Sequence, residues 1–301
     1  MELRHIRYFL AVAEEGNFTR AAARLGIGQP PLSQQIRDLE REVGARLFHR
    51  VPHGAELTAA GLGFRDRVLA LPAAAELAAD AARRAARGEL GTLRLGFTGT
   101  AALNPVVPRL IRDFRRERPD LALELFEANS LRLRADVLAG RLDVAILRPS
   151  LSDPADLVTQ PLLSEALVVA LPVDRDHDSN HAPGPEGLAL ASLSALPLIL
   201  TPRDVGISLH DAAVAACRAA GFEPVIGPTA PQIATILSLV AAGEGFSLVP
   251  QSMRQLALEG LAYEALSDVA PRVEIHLATA RGVLAPAVAA FLKKARALSP
   301  G

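Results

Sequence analysis

Glycine punctuates the first ninety residues into helical lengths, and beyond Gly88 and Gly91 the pattern changes to alternating strands and helices. A chain with that break cannot be one bundle or one sheet. Its 301 residues, at roughly 150 per domain, allow about two compact units. In the first part Leu3, Ile6, Leu10 and Ala13 recur at helical spacing up to Gly16. Phe18 and Thr19 predict the start of a second helix, with the Thr19 hydroxyl as its cap and Ala22 and Leu25 facing inward before Gly26. After Gly26-Ile27-Gly28, Pro30 and Pro31 are tolerated only in a first helical turn. The third helix therefore starts there and carries Leu32, Ile36, Leu39 and Val43 to Gly44.

The opposite face of that third helix holds Pro30, Ser33, Gln34, Arg37 and Arg41. A helix-turn-helix places such a helix end in the major groove, where amides and hydroxyls read base edges and arginines hold phosphates. A plain three-helix bundle with a solvated face fits the same pattern. Arg46 to Val51, a turn at Pro52-His53-Gly54, and Ala55 to Leu57 read as a two-stranded wing with a cationic tip, which favours the DNA-binding reading. Charge adds little: the first ninety residues hold thirteen Arg against eleven acidic residues, in a chain whose net charge is −1.

From Thr58, a predicted cap, to Arg87 an Ala/Leu/Arg helix carries Leu62, Val68, Leu69, Leu71, Leu77 and Ala81, and Pro72 should kink or split it near Leu71. Such a stripe needs a partner, and its copy in a second subunit is the expected one. Beyond the linker, strands at 93–97, 121–126 and 143–147 alternate with helices at 105–117 and 130–139, which predicts a mostly parallel covered sheet. Strands at 166–171, 196–200 and 247–250 with helices at 208–220 and 231–242 imply a second lobe. The strand at 274–279 and helix at 285–298 are expected to return to the first lobe, leaving a two-strand hinge and a ligand cleft.

Several function classes are excluded or disfavoured. The sequence contains no GxxxxGK(S/T), HExxH or GxSxG motif and no GxGxxG after a strand, so it does not read as an enzyme. The single Cys217 sits in a helix as a structural thiol and can form neither an internal disulfide nor a thiolate metal cage. Asp174, Asp176, His177, Asp178 and His181 have metal-ligand atoms, but Asn180, Pro183, Gly184 and Pro185 around them make a hydrated loop the expected reading. Apolar runs such as 166–171 and 236–242 fall far short of the ~18 to 20 residues that span a bilayer. The first segment lacks an export signal's apolar core. Together these predict a cytoplasmic chain without membrane contact or cofactor. They also count against a solute receptor for a transporter, the role the two-lobed half alone would suit.

The run MELRHIRYFLAVAEEGNFTRAAARLGIGQPPLSQQIRDLEREVGARLFHR, continued by LTAAG, resembles LysR-type transcriptional regulators, and GELGTLRLGF, AGRLDVAIL, PRDVGISLHD and AAGEGFSLVP extend the resemblance over essentially the whole chain. The resemblance implies a winged helix-turn-helix at 1–58, a dimerising linker helix at 59–90, and an α/β two-lobed domain at 91–301 resembling periplasmic binding proteins. Lobe I would comprise about 91–160 and 267–301, and lobe II about 161–266. It also implies a dimer of dimers on promoter DNA, RNA polymerase as a further partner, and a small-molecule effector. Gln29, Pro30, Ser33 and Gln34 fall on its groove-facing positions and Thr19 and Arg37 on backbone contacts. In the wing, His53 stands where arginine is usual, which shifts the burden to Arg50. Thr100, Ala101, Ser130, Arg148, Ile207, Ser208 and Leu209 fall on the effector cleft. The residues themselves agree: Thr100 and Ser130 begin helices whose amides suit a carboxylate, Arg148 adds positive charge, and Ile207 and Leu209 cover an apolar body. Ser130 as a mere cap and Arg148 in a surface salt bridge fit the sequence as well. The expected ligand is a small organic acid, as in benzoate- and muconate-responsive members.

Overall fold

The computed structural model describes residues 1–52, 54–173 and 187–298. The chain divides into two compact units, Met1–Arg84 and Ala85–Gly301.

The first unit opens with α1 (Leu3–Glu15), α2 (Phe18–Leu25) and α3 (Gln29–Val43), each followed by glycine. Gly26, at φ 68°, takes the left-handed turn that lets α3 leave at an angle to α2. The cap of α2 is Asn17 rather than Thr19: its Oδ1 accepts from the Thr19 and Arg20 amides at 2.8 and 3.1 Å. The helix begins at Phe18, so only the residue before it has the extended backbone a cap requires. Strands β1 (Phe48–Val51) and β2 (Gly54–Leu57) pair antiparallel as the wing. Phe9 is fully buried, and its ring centroid lies 5.2 Å from Phe48 and 5.0 Å from Phe64. One aromatic cluster therefore joins α1, the wing and α4 (Ala59–Val68).

Thr58 caps α4 as expected, accepting from the Gly61 amide at 2.9 Å while donating to the Arg46 carbonyl at 2.7 Å. Gly61 presses on the wing so closely that an added Cβ would lie 2.1 Å from the Leu47 oxygen. The long helix is split, as Pro72 predicts, into α4 and α5 (Leu71–Ala86). A proline there has no N–H to continue the ladder and crowds the preceding turn. Leu62, Leu69, Leu71 and Leu77 are all exposed, Leu77 at 71 %.

The second unit is built on a seven-stranded sheet that is mixed, not mostly parallel. Its elements are β3 (Gly91–Phe97), α6 (Gly99–Ala102), α7 (Val106–Glu117), β4 (Leu121–Glu127), α8 (Ser130–Leu138), β5 (Val144–Leu147) and β6 (Leu157–Pro172), then β7 (Leu198–Leu200), α9 (Ile207–Ala219), β8 (Ile226–Thr229), α10 (Ile233–Ala241), β9 (Ser247–Pro250), β10 (Leu261–Glu264), β11 (Arg272–Ala280) and α11 (Pro286–Leu298). The strand order is β10-β6-β11-β5-β3-β4, with β9 also paired to β6. Within this sheet the parallel pairs are those of β3 with β4 and β5, and β7 and β8 form a separate two-stranded parallel pair. The returning β11 enters antiparallel between β5 and β6, which makes the sheet mixed.

Strand β6 runs unbroken for sixteen residues. Its first part pairs with β11 and its last part with β9 and β10, so no single residue separates the lobes. Lobe I packs Leu93, Leu95, Leu110, Phe114, Ile146 and Phe291. Lobe II packs Leu190, Leu193, Leu198, Cys217 and Phe246 on one side of its strands and Ile236, Leu237, Val240 and Met253 in a second cluster. Ile275 and Leu277 of β11 and Phe291 of α11 join the lobe I cluster, Phe291 meeting Phe114 edge-on at 5.0 Å. Among the described residues, no helix is long and apolar enough to cross a membrane.

Candidate functional site

Two places carry chemistry, one in each unit. On α3 the inward stripe of Leu32, Ile36 and Leu39 leaves Pro30, Gln34, Arg37 and Arg41 exposed. The exposed side chains are linked. Arg37 Nη2 donates to Gln34 Oε1 at 2.6 Å, Gln34 Nε2 donates to Asp38 Oδ1 at 2.9 Å, and Arg41 Nη1 donates to the same oxygen at 3.1 Å. Ser33 departs from its expected outward position. It is only 5 % exposed, because it lies about 60° around the helix from Ile36, at the edge of the core stripe. Its Oγ accepts from the half-buried Gln29 Nε2 at 2.8 Å, so Ser33 orients Gln29. Thr19 is exposed at the start of α2. Arg50 lies in β1, and His53 falls outside the described residues.

The wing is fixed to α3 by Glu40, whose Oε1 accepts from the Leu47 and Phe48 amides at 2.8 and 3.2 Å. A charged acceptor on two backbone donors is a strong tether.

In the second unit a cavity of about 380 Å³ opens between the lobes. Lobe I contributes Thr98, Gly99, Thr100, Glu127, the start of α8, Arg134 and Arg148, and lobe II contributes Thr201, Asp204 and the starts of α9 and α10. Thr100, Ser130, Arg148, Ile207, Ser208 and Leu209 all line it. Ala101 does not: it is fully buried in the core of lobe I, its amide held by Thr98 Oγ1, because the helical turn rotates it away from the opening. The caps are Thr98 and Asn129, residues the sequence reading passed over although each precedes a helix as a capping type. Ser130 Oγ instead accepts from the Arg148 amide at 3.4 Å, joining α8 to the end of β5. Neither α9 nor α10 has a side-chain cap, so their leading amides stay available at the cavity.

Arg148 is not the free cation expected at the cleft, nor is it in a surface bridge. It is 3 % exposed, with Nη2 donating to Glu165 Oε1 at 3.0 Å and Nη1 to the Glu274 carbonyl at 3.4 Å. Asn104 Nδ2 supplies the second Glu165 oxygen at 3.2 Å. Burial lowers the Arg148 pKa from its ordinary value, while the Glu165 charge opposes that shift. The Arg148 Nε is buried without a hydrogen-bond partner. Arg134 is committed as well, to Asp153 and to the Arg148 carbonyl.

Burial pushes the Cys217 thiol up to about 11, the reverse of what a nucleophile needs. At pH 8 a thiol reagent should label the native chain more than about a hundredfold more slowly than the urea-unfolded chain. Equal rates would mean that the site opens freely. The loop of Asp174, Asp176, His177, Asp178 and His181 lies outside the described residues, and among those described no group of three or more His, Cys, Asp or Glu could hold a metal.

The chain matches two family descriptions: "Bacterial regulatory helix-turn-helix protein, lysR family" over residues 3–62 and "LysR substrate binding domain" over residues 86–299. It is 37 % identical to the HTH-type transcriptional regulator BudR of Raoultella terrigena, over 97 % of this chain and 99 % of that protein. It is 40 % identical to the HTH-type transcriptional regulator IlvR of Caulobacter vibrioides, over 97 % of each. Full-length CbnR complexed with its target DNA superposes with a TM-score of 0.82 at 29 % identity, covering all of both chains. These relatives are named transcriptional regulators, not enzymes. With its helix-turn-helix in the first unit and its two-lobed cleft in the second, the chain belongs to the LysR family of DNA-binding transcriptional regulators.

Proposed function

We propose that α3 reads promoter DNA in the major groove, and that a small organic acid bound between the lobes adjusts that binding and the bending of the DNA. The carrying observation is the exposed chain of Arg37, Gln34, Asp38 and Arg41 along α3. An amide flanked by guanidinium groups offers one side chain for base edges and others for phosphates. Gln29 and Pro30 shape the start of the reading surface, Ser33 positions Gln29, Thr19 approaches the backbone, and Arg50 and His53 are the wing's contacts to the DNA. The exposed leucines of α4 and α5 pair with a second copy, and two such dimers occupy adjacent sites, where RNA polymerase is a further partner. The setting is the cytoplasm.

In the cleft, the effector carboxylate meets the starts of α9 and α10, with Thr100 and Ser208 as hydroxyl donors and Ile207 and Leu209 against its apolar body. The benzoate- and muconate-type acids suggested by the resemblance are one set of such ligands. A ligand changes transcription only by favouring one arrangement of the lobes.

A gel-shift titration on the DNA upstream of the chain's own gene, across a salt series, tests the DNA reading. Gln34→Ala should lower the ratio of specific to random binding by about tenfold or more, the value of one base contact. Arg37→Ala should weaken both DNAs alike and reduce the salt slope by about one. An equal loss on specific and random DNA for Gln34→Ala sinks the groove assignment.

A further inference from the structure

Four ionisable side chains line the cavity: Glu127, Arg134, Arg148 and Asp204. Both cations are neutralised within the protein, Arg134 by Asp153 and Arg148 by Glu165. Glu127 on the lobe I wall and Asp204 on the lobe II wall are exposed, with no hydrogen-bond or ion-pair partner among the described residues. The Glu127 carboxylate lies close to Gly99, where an added Cβ would sit 2.6 Å from its Oε1. The uncommitted formal charge of the cleft is therefore negative, and it is divided between two facing walls.

Two carboxylates on opposite walls repel each other as the lobes approach, and they repel a ligand that is only anionic. A cation between them reverses both effects. A metal is the poorer occupant, because no group of three or more acidic, His or Cys residues gathers there among the described residues. Elsewhere in the cavity the requirement is opposite. The starts of α9 and α10 lack side-chain caps, and the buried Arg148 Nε on the wall has a hydrogen to donate and no acceptor. Leu131, Val205, Ile207, Leu209 and Ile233 supply aliphatic surface.

We infer that the effector is a zwitterion, an aliphatic amino acid whose ammonium group lies between Glu127 and Asp204 and whose carboxylate lies at the starts of α9 and α10. This rests on the cleft being the effector site. It narrows the organic acid to one that also carries an amine, and it sets aside dicarboxylates and benzoate.

Calorimetry on the full-length protein tests it with L-valine, L-leucine and L-isoleucine. Each is run beside the carboxylic acid lacking the amine and the amine lacking the carboxylate, with benzoate, muconate and magnesium chloride as further arms. At least one amino acid should bind tenfold or more tightly than either of its single-charge counterparts. E127Q and D204N should each weaken that amino acid at least fivefold and strengthen the amine-free acid, so the preference narrows or reverses. Amine-free acids, benzoate or muconate binding the wild type as tightly as any amino acid overturns the inference and leaves the organic-acid reading standing. Stoichiometric magnesium binding lost in both variants also overturns it. If no organic probe binds, the zwitterion and the organic-acid reading fall together.

Discussion

Glu165→Ala is expected to destabilise the Ala85–Gly301 unit by about 3–5 kcal/mol, the cost of leaving a buried charge without its partner. The Arg148 guanidinium is 3 % exposed, and its other contacts are a long bond to the Glu274 carbonyl and an orphaned Nε. Asn104 loses its acceptor in the same substitution. Replacing both charges, Arg148→Met with Glu165→Leu, should cost much less than Glu165→Ala alone, since a matched apolar pair pays no desolvation penalty. The chain has no tryptophan and two tyrosines, Tyr8 and Tyr263, one in each unit. Urea denaturation followed by tyrosine fluorescence in a Tyr8→Phe background therefore reports the second unit by itself. A loss of less than about 1 kcal/mol for Glu165→Ala would show the pair to be hydrated and energetically minor.

Phe9→Ala should cost the Met1–Arg84 unit a similar amount, about 3–5 kcal/mol, for a different reason. The Phe9 ring is fully enclosed and contacts both Phe48 of the wing and Phe64 of α4. Its removal leaves a cavity where three elements meet, and α3 and the wing lose their common support. Specific and random DNA binding should both fall steeply, unlike the selective loss expected for Gln34→Ala. Tyr8 in a Tyr263→Phe background reports this transition. Unchanged stability would mean that the cluster collapses around the smaller side chain.

The helical first unit was largely legible because its signals are local. Gly16, Gly26 and Gly44 end helices, Thr58 caps one and Pro72 divides one, each through the backbone of its own turn. The misplaced cap at Thr19 was an error of two residues, since Asn17 is also a capping type. The second unit hides its topology because pairing is not local. Nothing in the residues of β11 says that it inserts between β5 and β6, and β6 begins at Leu157, ahead of the strand expected at 166–171, because Pro161, Ser164 and Glu165 interrupt its apolar pattern. β8, with Gly227 and Pro228 inside it, has no strand signature of its own. At the cleft, helix starts could be read but side-chain direction could not. Ala101 turns inward, and Arg148 meets a carboxylate seventeen positions away. Glu127 and Asp204 carry no local mark that would distinguish them from other surface acids.

The continuity of β6 bears on how a message leaves the cleft. The lobes are joined by a paired ribbon whose register shifts at Leu162, opposite Ile275 and His276, so their relative rotation must bend and twist that ribbon as a load bends a leaf spring. Such a link resists large swings and recovers unaided when the load is lifted. Under the proposed function, occupancy would therefore be transmitted as a small, elastic deflection that resets when the ligand leaves.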